Sequence, residues 1–134
     1  MIPPSFTVSF LGFLISRVKI QYEWRKIIMS YVIGVDCGTS GTKTVLFDEK
    51  GSVIASKTIE YPMYQPKNGY AEQDPADWSS AMINTIKAVM AQSGVKKEDV
   101  KGIGISGQMH GLVMLDKDNN VLRKSIIWCD QRTA

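Results

Sequence analysis

Asp36-Cys37-Gly38-Thr39-Ser40-Gly41-Thr42-Lys43 concentrates more reactive and anion-binding groups than any other stretch of the chain. A carboxylate ends an apolar run, glycines and hydroxyls follow, and a lysine closes the segment. Glycines let a backbone approach an anion closely. Successive N–H groups in such a turn form an anion-binding nest. Thr39, Ser40 and Thr42 would add hydroxyl donors, and Lys43 a cation. Asp36 would repel bare phosphate, so its natural partner is Mg²⁺, held through oxygen and largely through waters. The combination suits the phosphate tail of a magnesium nucleotide. A plain hairpin turn, with no ligand, is the structural alternative.

Positioning this segment requires two strands that meet at a tight turn. Residues 31–36 are a short β-rich run, residues 42–48 alternate apolar and polar, and residues 53–61 form a third strand after the turn Glu49-Lys50-Gly51-Ser52. The links are too short for parallel crossovers, so an antiparallel meander is expected. Residues 62–73 read as a loop. A helix should follow, with Asp74 as its cap, Pro75 at its first position and Asp77 near the positive end of its dipole. Trp78, Ala81, Met82, Thr85, Ile86, Val89 and Met90 recur at helical spacing as one apolar, core-facing stripe, and Gly94 is a natural terminator. Strands are expected again at 99–106 and 112–115, then a turn at 116–120 and a last apolar run at 125–129. The pattern is α/β, with a mixed sheet that begins as a three-stranded antiparallel meander. That beginning argues against a doubly wound dinucleotide fold, which opens with a βαβ unit.

Gly102-Ile103-Gly104-Ile105-Ser106-Gly107 matches G-x-G-x-x-G. The dinucleotide fingerprint needs those glycines between a strand and a helix, whereas here they coincide with the strand itself. Small residues where sheet and helix pack closely are the expected explanation. No G-x-x-x-x-G-K-[ST] loop occurs.

The 134 residues allow one domain at most. Cys37 and Cys129 show no metal spacing and no disulfide framework, so a reduced, cytoplasmic setting is the default. The formal charge of +3 resides in residues 1–28, where Arg17, Lys19, Arg25 and Lys26 face Glu23 alone. The remainder is neutral and offers no basic face to follow a phosphate backbone, so no nucleic-acid partner is expected. The apolar run Phe6–Ile15 is too short to span a bilayer. It is also a poor signal peptide, because no positive charge precedes it. Trp24-Arg25-Lys26 before Met29 can be encoded by a ribosome-binding site a few codons ahead of a start codon. Translation is therefore expected to begin at Met29, with residues 1–28 a mis-assigned or disordered extension. An amphipathic membrane-surface anchor is the alternative.

The Asp36–Lys43 segment between two antiparallel strands resembles the first phosphate motif of the actin-like ATPase superfamily, whose core is ribonuclease H-like. Within it, Gly69-Tyr70-Ala71-Glu72-Gln73-Asp74-Pro75 followed by Trp78 resembles the entry to the first helix of the FGGY carbohydrate kinases. Ile103 to Gly111, ending in Gln108-Met109-His110-Gly111, resembles the sugar-contact segment in its xylulokinase form. Ile127-Trp128-Cys129-Asp130-Gln131-Arg132-Thr133-Ala134 resembles a further family segment, W-x-D-x-R. The resemblance covers residues 29–134 and implies the N-terminal part of a ribonuclease H-like (actin-like ATPase) domain, incomplete as it stands.

What the resemblance implies is ATP-dependent phosphorylation of a sugar hydroxyl, with D-xylulose converted to D-xylulose 5-phosphate. Asp36 would position Mg²⁺, and Gly38, Thr39, Ser40, Gly41, Thr42 and Lys43 would hold the β- and γ-phosphates of ATP. Gln108, Met109, His110, Trp128, Asp130 and Arg132 would serve the sugar. His110, the sole histidine, can exchange hydrogen bonds with a hydroxyl, and Met109 can cover a carbon face. Trp128 would flank the sugar. Asp130 and Arg132 pair either with each other or with substrate. The general-base aspartate and the adenosine-binding segment are expected beyond Ala134, so this chain alone is expected to show no turnover. Its expected partners are the sugar and the missing C-terminal part of the kinase, with no membrane, and a homodimer of the full-length enzyme stays open. Kinase activity toward another sugar or polyol such as gluconate is one alternative, and a non-catalytic binding module is another.

Overall fold

The computed structural model describes residues 30–132, so the extension expected at 1–28 lies outside the described residues. Alternating burial sets the first three strands. In β1 (Tyr31–Cys37), Ile33 and Val35 are buried while Val32 and Asp36 are exposed. In β2 (Gly41–Phe47), Thr42, Thr44 and Leu46 are buried while Lys43 is exposed. Side chains two apart share a face of a strand, so each strand sends one set toward a core and the other toward the open side. β3 (Val53–Glu60) pairs antiparallel with β2, and β2 antiparallel with β1, which is the expected meander.

The turn between β2 and β3 closes on Asp48, whose Oδ1 accepts from Lys50 N at 2.9 Å and from Ser52 N at 2.8 Å. Gly51 takes the left-handed conformation there (φ 80°).

The helix α1 (Pro75–Ser93) begins and ends where its sequence signals lie. Asp74 accepts from Ala76 N at 3.0 Å, Pro75 opens the first turn, and Gly94 closes the last with φ 66°. α1 lies across β3 and β2. Its stripe seals the core: Val89 packs with Ile33, Val35, Leu46 and Ala55, flanked by Met82, Ile86 and Met90. Thr44 and Thr85 share a buried hydroxyl–hydroxyl bond of 2.7 Å across the same interface. Removing Leu46, which is fully buried, would cost about 2–5 kcal/mol.

After a short 3-10 turn (Lys97–Asp99), β5 (Val100–Gly107) returns parallel to β1, giving the order β3-β2-β1-β5. The sheet is therefore mixed. A second, two-stranded sheet pairs β4 (Glu72–Gln73) with β6 (Ser125–Ile126).

Three expectations change. Residues 112–115 form no strand; Leu112 and Leu115 make only isolated bridges, to Ile126 and Val121. The loop expected at 62–73 ends in β4, which forms because β6 supplies a partner from over fifty residues away. Among the described residues no helix packs on the first two glycines of the G-x-G-x-x-G run: a Cβ added at Gly102 or Gly104 would meet nothing within 4 Å, while one at Gly107 would meet Cys37 O at 3.2 Å. Among the described residues, no helix is long and apolar enough to cross a membrane.

Candidate functional site

The ends of β1, β2 and β5 meet where the sequence concentrates its chemistry. Asp36 stands opposite Lys43 on β2 and opposite Ser106 on β5. Both charged side chains are exposed on the sheet face away from α1. They border an open depression of ≈ 440 Å³ that also includes Gly34, Phe47, Ile105 and Ser106. Neither Asp36 nor Lys43 forms an ion pair among the described residues.

The turn between the strands is built from Gly38, Thr39 and Ser40. Gly38 N donates to Gly41 O at 3.1 Å, and Tyr61 N donates to Ser40 O at 3.4 Å. The Tyr61 hydroxyl donates to Gly38 O, and Cys37 Sγ lies 3.6 Å from it. Burial pushes the Tyr61 phenol up to about 12, with the Cys37 thiol acting in the same direction.

The two glycines differ in kind. A Cβ on Gly41 would lie 2.6 Å from Ile59 O and 3.0 Å from Glu60 Cα, so that glycine is demanded by the close approach of β3. A Cβ on Gly38 would make only ordinary contact, 3.5 Å from Gly41 O. Nothing among the described residues requires glycine at 38, which fits close approach by a ligand.

Thr42 departs from its expected role. It is fully buried on the α1 side of β2, and its Oγ1 has no hydrogen-bond partner among the described residues. Its hydroxyl therefore faces away from Asp36 and Lys43. The two-residue period was a usable signal for this, since Leu46 must face the core and Thr42 shares its face.

The second group of expected residues adjoins the turn directly. Gln108 N donates to Cys37 O at 2.9 Å. Thr39 Oγ1 donates to Gln108 Oε1 at 3.3 Å and accepts from Trp128 Nε1 at 2.9 Å. Met109 and His110 follow Gln108 immediately, both exposed, and His110 holds the left-handed φ of 59°. A non-glycine residue there is uncommon, and such conformations gather at functional sites. Trp128 is 57% exposed beside the turn.

Asp130 and Arg132 pair with each other. Arg132 Nη2 lies 2.7 Å from Asp130 Oδ2, and Arg132 Nη1 reaches Glu72 at 2.8 Å. Asp130 also accepts from Ala71 N at 2.7 Å, and Arg132 stacks 4.0 Å over the Tyr70 ring. The Arg132 hydrogen bond holds the Asp130 carboxyl well below the usual carboxylate range. Their geometry is that of a brace tying the segment around Trp128 to β4.

Gln73 was not singled out by the sequence. It is fully buried, yet its amide touches the turn, Gln108 and Trp78. No local pattern marks a glutamine for such a position.

The residues present fit a magnesium nucleotide. Asp36 is an exposed carboxylate with no ion-pair partner among the described residues, at a strand end next to a turn whose first glycine is not required by packing. Among the described residues no group of three metal-ligating side chains exists. A single carboxylate suits Mg²⁺, which keeps most of its waters.

Residues 31–134 match the FGGY family of carbohydrate kinases, N-terminal domain. A xylulose kinase of Bacillus subtilis is 49% identical over 106 residues, covering 79% of this chain and 21% of that protein. Among solved structures, a ligand-bound xylulose kinase from Lactobacillus acidophilus is 38% identical, with TM-score 0.70 over 75% of this chain and 20% of its own. A gluconate kinase from Lactobacillus acidophilus is 37% identical, with TM-score 0.70 over 76% of this chain and 20% of its own. The chain thus spans about a fifth of the length of the relatives it matches. The fold is the expected mixed α/β arrangement of these actin-like sugar kinases. Since the family match runs through every strand that carries the turn and the neighbouring Gln108–Gly111 segment, the chain belongs to the FGGY family of carbohydrate kinases.

Proposed function

We propose that this segment supplies part of the phosphate site and part of the sugar site of an ATP-dependent kinase that phosphorylates D-xylulose. One observation carries the reading. The glycine-hydroxyl turn and the Gln108–His110 segment are hydrogen-bonded neighbours, through Thr39, Gln108 and Trp128. Phosphoryl transfer depends on positioning the sugar hydroxyl against the γ-phosphate and on stabilising charge there. Adjacency of the two segments supplies the first requirement. Lys43 and the N–H groups of the turn serve the second.

Within this assignment Asp36 would hold Mg²⁺ through water, and the bound ion would supply charge neutralisation for phosphoryl transfer. Gly38, Thr39, Ser40 and Gly41 line the β- and γ-phosphates, and Lys43 adds a cation. Thr42 takes no part in ligand contact: its side chain is buried toward α1 and its backbone is paired between β1 and β3. Met109, His110 and Trp128 face the sugar. Gln108, Asp130 and Arg132 are occupied by protein partners and act by holding those residues in place. The proton acceptor is not assigned to residues 30–132, and the 134-residue chain alone is expected to release no ADP.

The neighbouring gluconate kinase favours a second reading, because its fold similarity and identity nearly equal those of the xylulose kinase from the same organism. The stretch Gln108-Met109-His110-Gly111 and the 49% identity to a xylulose kinase support D-xylulose. A graft separates the two. Residues 31–132 replace the aligned segment of the Lactobacillus acidophilus gluconate kinase, and ADP release is measured with each sugar. The expected result is a relative kcat/KM moved toward D-xylulose by about tenfold, the scale of one good pocket contact. An unmoved preference would remove D-xylulose from the proposal. A folded graft without turnover on either sugar would remove the phosphate site as well.

A further inference from the structure

The amide of Gln73 sits between the two halves of the site. Its Nε2 donates to Thr39 O at 2.7 Å and makes a longer contact to Pro62 O at 3.5 Å. Its Oε1 accepts from Gln108 Nε2 at 2.8 Å and from Trp78 Nε1 at 3.2 Å. Thr39 Oγ1 then donates to Gln108 Oε1 at 3.3 Å. The three residues close a ring in which every bond has a donor and an acceptor.

The polarity of the Gln73 amide is fixed by its neighbours. The indole N–H of Trp78 can only donate, and the carbonyl of Thr39 can only accept. A flipped amide would set oxygen against oxygen on one side and N–H against N–H on the other. The side chain is fully buried, so an unmatched group would carry its desolvation cost uncompensated. The residue is also mechanically placed: it ends β4 and directly precedes the cap of α1, so the ring is anchored to the core helix through Trp78.

We propose that Gln73 is a positioning residue that fixes the phosphate turn relative to the sugar segment, and through which a ligand at the turn is felt at Met109 and His110. This rests on the turn being a nucleotide-phosphate site. Gln73 touches neither ligand; it acts through Thr39 and Gln108.

The test uses the full chain labelled with ¹⁵N and Mg·ATP as the probe. In the unsubstituted chain, Mg·ATP shifts the backbone amides of residues 38–43 and also those of Met109 and His110. Gln73→Glu keeps an acceptor toward Gln108 and Trp78 but turns an oxygen on Thr39 O. In that variant the turn amides still respond, while the shifts at Met109 and His110 fall by at least about half. Should the variant lose the far-UV signature of α1, Gln108→Met opens the same ring from its partly exposed side and is read identically. A response that passes undiminished to Met109 and His110 in a folded variant overturns the role of Gln73 and leaves the site reading intact. An unsubstituted chain in which the turn amides ignore Mg·ATP overturns the site reading, and the role of Gln73 with it.

Discussion

Gly38 and Gly41 look alike in the sequence and do different things. The Gly41 Cα is pressed against the backbone of β3, with Ile59 O only 2.6 Å from where a Cβ would stand. Gly38 has room for a methyl group and opens onto the turn. Gly41→Ala is expected to cost about 1–3 kcal/mol, the range for overpacking against an unyielding neighbour. Gly38→Ala is expected to change stability by less than about 0.5 kcal/mol. Its effect should fall on Mg·ATP affinity, measured by titration beside a urea unfolding curve. Comparable destabilisation by both substitutions would show that the turn is only a hairpin. The motif was legible as chemistry because Asp, Gly, hydroxyls and Lys cluster within eight residues. The division of labour was not, because it depends on which residue β3 approaches. Gln73 was still less legible: its partners lie at residues 39, 78 and 108, and no window of sequence contains them.

Among the elements, the first hairpin and α1 followed their local signals closely. Turn residues, a capping aspartate, Pro75 and Gly94 are short-range devices, and they act wherever the chain folds. β4 and β6 are two residues each and owe their existence to one another, so neither carries a signal of its own. The apolar run at 112–115 has the composition of a strand but finds only single bridges. The hairpin that bears the turn is also held from behind by Tyr61, whose hydroxyl donates to Gly38 O. An unfolded phenol titrates near 10, while burial in the fold pushes Tyr61 up to about 12. Between those values the unfolded chain loses its proton first, so stability present below pH 10 declines as pH rises toward 12. Tyr61→Phe should lose that part of the alkaline decline, seen by following unfolding from pH 9 to pH 12. An unchanged alkaline profile would show that Tyr61 titrates normally and does not grip the turn.

On the scale of the whole molecule, α1 covers one face of the sheet over β3, β2 and part of β1, and the opposite face is open. Helix α1 covers the side that holds Ile33, Val35 and Leu46. β5 ends the sheet as an edge strand beyond the reach of α1, so its Ile103 and Ile105, in register with Ile33 and Val35 on the α1 side, stay 53% and 63% exposed, while the opposite side leaves Val32 47% exposed. Exposed apolar strands at a sheet edge favour self-association, so the isolated chain is expected to need dilute conditions. The site lies on that open side, where Asp36 and Lys43 face outward together. The sequence also offers a rival glycine-rich stretch, residues 102–107, on the neighbouring strand. The amide map of the full chain titrated with Mg·ATP distinguishes them most directly. The largest shifts are expected at residues 38–43. Shifts centred on residues 102–107, or none above those given by Mg²⁺ alone, would contradict the assignment of the first hairpin as the phosphate site.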